Sequence, residues 1–139
     1  TSTASSTLGH KPLDFAGNFD AWAWNTYDIS RNMIDAGDIT NLDDYVLKFE
    51  VLTTNEHPLT EATGLKFCFN WGDTYNWNPA NGAGINTFGN WQTVTLPLAP
   101  MATKGISAAG TWQTLRITMQ PSAAYSADFC IGNIRIVKK

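Results

Sequence analysis

Charge is scarce in this sequence. Only 15% of its 139 residues are Asp, Glu, Lys or Arg, and twelve acids against nine bases leave a net charge of -3. No basic field exists to draw in nucleic acid or anionic lipid, so neither is an expected partner. No apolar stretch approaches the ~20 residues of a spanning helix, and no direct membrane insertion is expected of this chain. Histidine and cysteine are rarer still, two of each. His10 and His57 lack the spacing of metal ligands, and no metal site is predicted. Asp14, Asp20, Asp28 and Asp128 are the acids a structural calcium ion would draw on. No loop carries a recognisable ligand order, so no ion or other cofactor is predicted. Cys68 and Cys130 each lie in a strand-like run, where a disulfide between neighbouring strands and a pair of buried thiols both fit.

The carboxylates do not suggest an enzyme. Glycoside hydrolysis needs two of them facing each other across a cleft. Glu56 and Glu61 fall in a polar connection, while Glu50 alternates with Lys48 on a polar strand face and is expected to pair with Lys66. Neither a Ser/His/Asp set nor a phosphate loop is present. No catalytic residue is predicted.

Also missing is any long helical period. The apolar residues alternate instead, which is the pattern of half-buried strands. Tyr45, Leu47, Phe49 and Val51 alternate with Val46, Lys48, Glu50 and Leu52. Leu65, Phe67 and Phe69 alternate with Lys66, Cys68 and Asn70, and Val94, Leu96 and Leu98 with Thr93 and Thr95. In Trp112–Gln120, Leu115, Ile117 and Met119 oppose Thr114, Arg116 and Thr118. A first strand is expected from His10 to Ala16, entered through Pro12, and a last one over Phe129–Val137 with a bulge at Gly132–Asn133. Ile29–Asp44 reads as loop, or as loop with one helical turn near Arg31–Ala36. Six or more two-faced strands without helices predict an all-β antiparallel β-sandwich of jelly-roll type. The opening TSTASST reads as linker. Residues 1–10 are therefore expected to lie outside a single domain, residues 11–139, belonging to a larger molecule in which this part is monomeric.

What the chain has in abundance is aromatic surface: six Trp, seven Phe and four Tyr. The connection after Phe69 is long for a hairpin and carries Trp71, Tyr75 and Trp77 among Asn70, Asp73, Asn76 and Asn78. Disordered segments are poor in such residues, so a loop of this composition is expected to bind something. Flat rings beside amides and carboxylates are the two ingredients for gripping a sugar, whose apolar C–H faces are edged with hydroxyls. Trp77, remote from any periodic pattern, is the leading platform residue and Tyr75 follows it. Trp71 continues the inward series of Leu65, Phe67 and Phe69, and both a core role and a site role fit. Trp22 and Trp24, if extended, project from one face as a second platform. Trp91 and Trp112 each open a strand and read as covers at the sandwich edge. The predicted site is therefore Trp22, Trp24, Asn70, Trp71, Asp73, Tyr75, Asn76 and Trp77, with a polysaccharide or oligosaccharide as partner. From another class, a structural or protein-interaction sandwich would use the same aromatics as a contact patch.

The run YNWNP, the element FGNWQTVTLPL and the closing FCIGNIRIV resemble the C-terminal glycan-binding domain of Bacteroidetes surface glycan-binding proteins. The resemblance spans the chain from about Leu13, with its specific motifs in the second half. The WxxVxxPL element (Trp91, Val94, Pro97, Leu98) also occurs in carbohydrate-binding modules attached to glycanases. The resemblance implies a β-sandwich that binds plant polysaccharides such as xyloglucan, mixed-linkage β-glucan or mannan without cleaving them. It further implies an outer-membrane lipoprotein, displayed at the cell surface through a preceding anchored part. Two or three aromatics would line its platform, Tyr75 and Trp77 among them, joined by Trp22 or Trp24. Gly132 departs from the Asp expected in related closing strands.

Overall fold

The computed structural model describes residues 12–31, 41–77, 85–106 and 113–139. Alternating sequence becomes alternating burial most cleanly in residues 92–97, while the central strands are buried on both faces over much of their length. The strands are β1 (Leu13–Phe19), β2 (Asn25–Arg31), β3 (Tyr45–Thr53), β4 (Leu65–Phe69), β5 (Tyr75–Trp77), β6 (Gln92–Pro97), β7 (Gln113–Met119) and β8 (Tyr125–Lys138). They form two four-stranded antiparallel sheets, ordered β1-β8-β3-β6 and β2-β7-β4-β5. Consecutive strands belong to opposite sheets everywhere except at the β4–β5 pair, which makes the fold a jelly-roll β-sandwich.

Leu47, Phe49 and Val51 of β3 are fully buried, as are Phe67 and Phe69 of β4 and Leu115, Ile117 and Met119 of β7. Phe49 and Phe67 stack across the two sheets with centroids 5.5 Å apart. Phe15 lies nearly parallel to Phe129 at 4.7 Å. Burying each such side chain contributes roughly 1.5–3 kcal/mol, so this shared interior holds the sheets together. The bulge falls where the sequence places it. Lys48 pairs with Arg135 but Glu50 with Gly132, leaving an extra β8 residue, and Asn133 takes φ 50° there. Asparagine accepts that left-handed conformation more readily than most residues.

Several expectations change. The first strand runs from Leu13 to Phe19, and a turn over residues 20–24 interrupts the aromatic stretch, so Trp22 and Trp24 do not lie on one extended strand. The possible helical turn at Arg31–Ala36 lies largely outside the described residues, as do the opening linker, Asn78 and Trp112. Glu50 pairs with Arg135 at 2.8 Å, not with Lys66. The physical reason is that β3 and β4 belong to different sheets, so their polar faces look in opposite directions. The same separation settles the cysteines. Cys68 sits in one sheet and Cys130 in the other, and both are free buried thiols.

Candidate functional site

The strand registers put Thr26 and Asp28 of β2, Arg116 and Thr118 of β7, Lys66 and Cys68 of β4, and Asn76 of β5 on the outer face of the second sheet. This face is polar but almost charge-neutral. Arg116 donates to both oxygens of Asp28, Nε to Oδ1 at 2.8 Å and a terminal nitrogen to Oδ2 at 2.9 Å. Hydrogen bonding from Arg116 holds the Asp28 carboxyl below its ordinary range. Thr26 and Thr118 share a hydroxyl hydrogen bond of 3.1 Å beside this pair. Burial raises the Cys68 thiol.

At one end of this face stands the β1–β2 turn with two indoles. Trp22 keeps 64% of its surface exposed and Trp24 61%. Trp22 adopts φ 63°, an unfavourable conformation for a bulky residue, and is tied down on both sides. Its N–H donates to the Pro121 carbonyl at 2.8 Å, and its carbonyl accepts from Gln120 Nε2 at 3.2 Å. The Asn25 amide donates to the carbonyls of Ala23 and Met119 at 3.2 and 3.1 Å. Lys66 Nζ lies 4.7 Å from the centre of the Trp24 ring, within cation–π range, and also donates to Gln120 Oε1. Both rings are thus exposed, with the Trp22 backbone and the Trp24 ring held in place before any ligand arrives, which lowers the entropy cost of binding. Next to Trp22 is a depression of about 260 Å³ lined by Gly64, Leu65, Lys66, Asn76, Gln120 and Ser122. Gly64 is required there. It has φ 63°, and a Cβ would sit 2.0 Å from the Gln120 carbonyl oxygen.

The other end of β4 carries Asn70, Trp71 and Asp73, roughly 13 Å beyond Lys66 at strand rise. Asn70 and Trp71 take φ 52° and 57° in succession. The Asn70 amide is committed to structure: its Nδ2 donates to Gly105 O at 3.0 Å, and its Oδ1 accepts from Thr114 N–H at 3.1 Å. Trp71 is held outward by this turn and is 61% exposed, and Asp73 is exposed beside it. Its backbone N–H donates to Thr103 Oγ1 at 2.8 Å.

Tyr75 and Trp77 do not join either group. They form β5, opposite Phe67 and Leu65, and so face inward. Trp77 is only 7% exposed and sits edge-on to Phe49, centroids 5.5 Å apart. Tyr75 is half-buried against the same core. A Trp at that position presents no open ring face, so the residue first in line as a platform is a core side chain. Trp91 is half-buried. Sequence reasoning missed Gln120, Ser122 and the role of Lys66. Gln120 was within reach, because it continues the outward series Thr114, Arg116, Thr118 by one more step of two.

A jelly roll that displays clamped, outward indoles above a polar sheet face is built as a binding module. The chain belongs to the family described as surface glycan-binding protein B xyloglucan binding domain, which matches residues 3–138. No curated protein matches it. Among solved structures it is similar to one described as domains CD (residues 230–489), with TM-score 0.57 and 19% identity over 92% of this chain and 54% of that one. It is also similar to one solved with xylogluco-oligosaccharide, with TM-score 0.59 and 19% identity over 92% of this chain and 31% of that one. This chain thus spans about half of the first and a third of the second, and the likeness is one of fold.

Proposed function

We propose that this domain binds a neutral β-linked plant polysaccharide of xyloglucan type, without cleaving it, on the outer face of the β2-β7-β4-β5 sheet. The observation that carries the reading is the Trp22–Trp24 turn, which displays two exposed rings and is tied by three hydrogen bonds to the one segment Met119–Gln120–Pro121. Sugar rings stack on these indoles, while Asn76, Gln120, Ser122 and Lys66 offer donors and acceptors to the hydroxyls. Trp71 and Asp73 form a second contact at the far end of the face, a separation that suits an extended chain better than a single sugar. Asn70 holds Trp71 in place, and Tyr75 and Trp77 support β5 from the core. The family description and the xylogluco-oligosaccharide in a structural neighbour both favour xyloglucan.

The carboxylates support binding over hydrolysis. Asp28 is engaged by Arg116, and Glu50 lies on the other sheet with Arg135. The setting we infer is the cell surface, within a larger anchored protein in which this domain acts as a monomer. Affinity electrophoresis in gels containing xyloglucan, barley β-glucan, mannan or xylan tests the reading. Retardation by xyloglucan, strongly reduced but not abolished by Trp24→Ala, supports it. Migration unchanged in all four gels overturns it and points to a protein partner for the same aromatics.

A further inference from the structure

We infer that Phe88 is the centre of a second, separate subsite for a neutral sugar ring, resting on the glycan-binding reading above. Phe88 is 68% exposed, more than either platform indole, although apolar side chains of this size are usually covered. Its backbone takes φ 53°, a conformation that bulky residues rarely adopt. Strain of this kind persists only where the surroundings impose it, and it points toward function when it displays a side chain. Here the surroundings do impose it. Asn86 Oδ1 accepts from the Phe88 N–H at 2.9 Å, Asn90 Nδ2 donates to its carbonyl at 3.2 Å, and the Gly89 N–H donates to Thr53 O at 3.0 Å. Beneath them Thr53 and Thr87 exchange hydrogen bonds in the interior, each backbone N–H donating to the other's hydroxyl at 2.8 and 2.9 Å. The phenyl ring is therefore held out on a rigid base.

The ring borders a depression of about 390 Å³ shared with Thr54, Asn55, Glu56 and Gly89. Thr54 also lines it, although its hydroxyl is buried and has no hydrogen-bond partner among the described residues. An orphan of this kind is costly, and it marks a strained corner of the fold beneath the depression. One flat apolar face rimmed by the Asn55 amide and the Glu56 carboxylate is a sugar subsite in miniature. The exposed Glu56 carboxylate disfavours uronic acids, so the occupant is uncharged. One segment of chain contributes to both depressions. The β3–β4 connection lines the Phe88 depression with Thr54–Glu56 and reaches the Trp22 depression at Gly64.

The test compares polymeric xyloglucan with a short oligosaccharide cut from it, using the wild-type chain, Phe88→Ala and Phe88→Trp. Phe88→Ala is expected to weaken retention by the polymer ~5–10-fold and to leave oligosaccharide affinity by calorimetry unchanged, and Phe88→Trp to restore retention. In a Trp22→Ala/Trp24→Ala background, residual polymer retention should disappear on adding Phe88→Ala. If wild type is retained and Phe88→Ala is retained equally, the subsite is refuted while the platform stands. Equal loss for polymer and oligosaccharide also refutes it, because the change then acts on the main site. If wild type is retained by none of the glycans, the platform reading falls and this inference falls with it.

Discussion

Trp77 and Trp24 look alike in the sequence and should behave in opposite ways when truncated. Trp77→Ala removes an indole from the interior, where it meets Phe49 edge-on and tilts against Phe67 at 6.1 Å. Core Trp-to-Ala changes cost about 3–5 kcal/mol, because transfer energy is lost and a cavity remains. For a domain of this length, each kcal/mol shifts the melting temperature by about 3 °C, so Tm should fall by roughly 10–15 °C. Trp24→Ala removes a mostly solvated ring and one cation–π contact with Lys66, worth about 0.5–1 kcal/mol. Its Tm should drop by no more than about 3 °C, while xyloglucan affinity falls about tenfold or more. Differential scanning fluorimetry reads the first quantity and affinity electrophoresis the second. The assignment is refuted if Trp77→Ala melts like wild type but loses glycan, or if Trp24→Ala binds normally.

Gly64→Ala is expected to destabilise the fold by about 2–4 kcal/mol, since φ 63° and the nearby Gln120 carbonyl leave no room for a methyl. Because Gln120 must shift, glycan retention of the folded fraction should weaken too, which a gel run well below Tm will show. Acid unfolding should reflect two depressed carboxyls. Burial alone raises Glu50, but hydrogen bonds from Arg135 and Thr93 and the Arg135 charge outweigh it and hold the carboxyl low; Asp28 is lowered by Arg116. A carboxyl depressed in the folded state stabilises it fully above the unfolded pKa of ~4, and that contribution is lost as pH falls through the lower folded value. Arg135→Ala should therefore cost about 2 kcal/mol at pH 7 by urea titration and progressively less towards pH 2. Both thiols should be silent to Ellman's reagent in the folded protein at pH 8, because burial pushes Cys130 up to about 11 and raises Cys68. Two should react in guanidinium; rapid native labelling would contradict their placement.

Period-two alternation made most of the fold legible. In β3, β4, β6 and β7 the apolar face is long enough that only one register buries it, so core residues such as Phe49, Phe67, Val94 and Ile117 follow from spacing alone. The bulge at Gly132–Asn133 was readable from the small and turn-forming residues that interrupt the same alternation in the last strand. The site was less so. Trp22 and Trp24 were recognised as a pair, but their exposure depends on a left-handed turn clamped by Pro121 and Gln120, about a hundred residues away.

What this sequence determined by itself is what each residue does relative to its immediate neighbours: which strands are two-faced, where turns interrupt them, and that aromatic surface exceeds what a small core consumes. What only the tertiary structure decided is which neighbour each segment acquires. A three-residue strand such as β5 is too short to reveal a period. Trp77 became interior only when its pairing with Leu65 in β4 turned it inward. Glu50 found Arg135 rather than Lys66 for a related reason, because assignment to opposite sheets is a property of the chain path. Alternation is local, imposed by backbone stereochemistry, whereas pairing is won by the whole core at once.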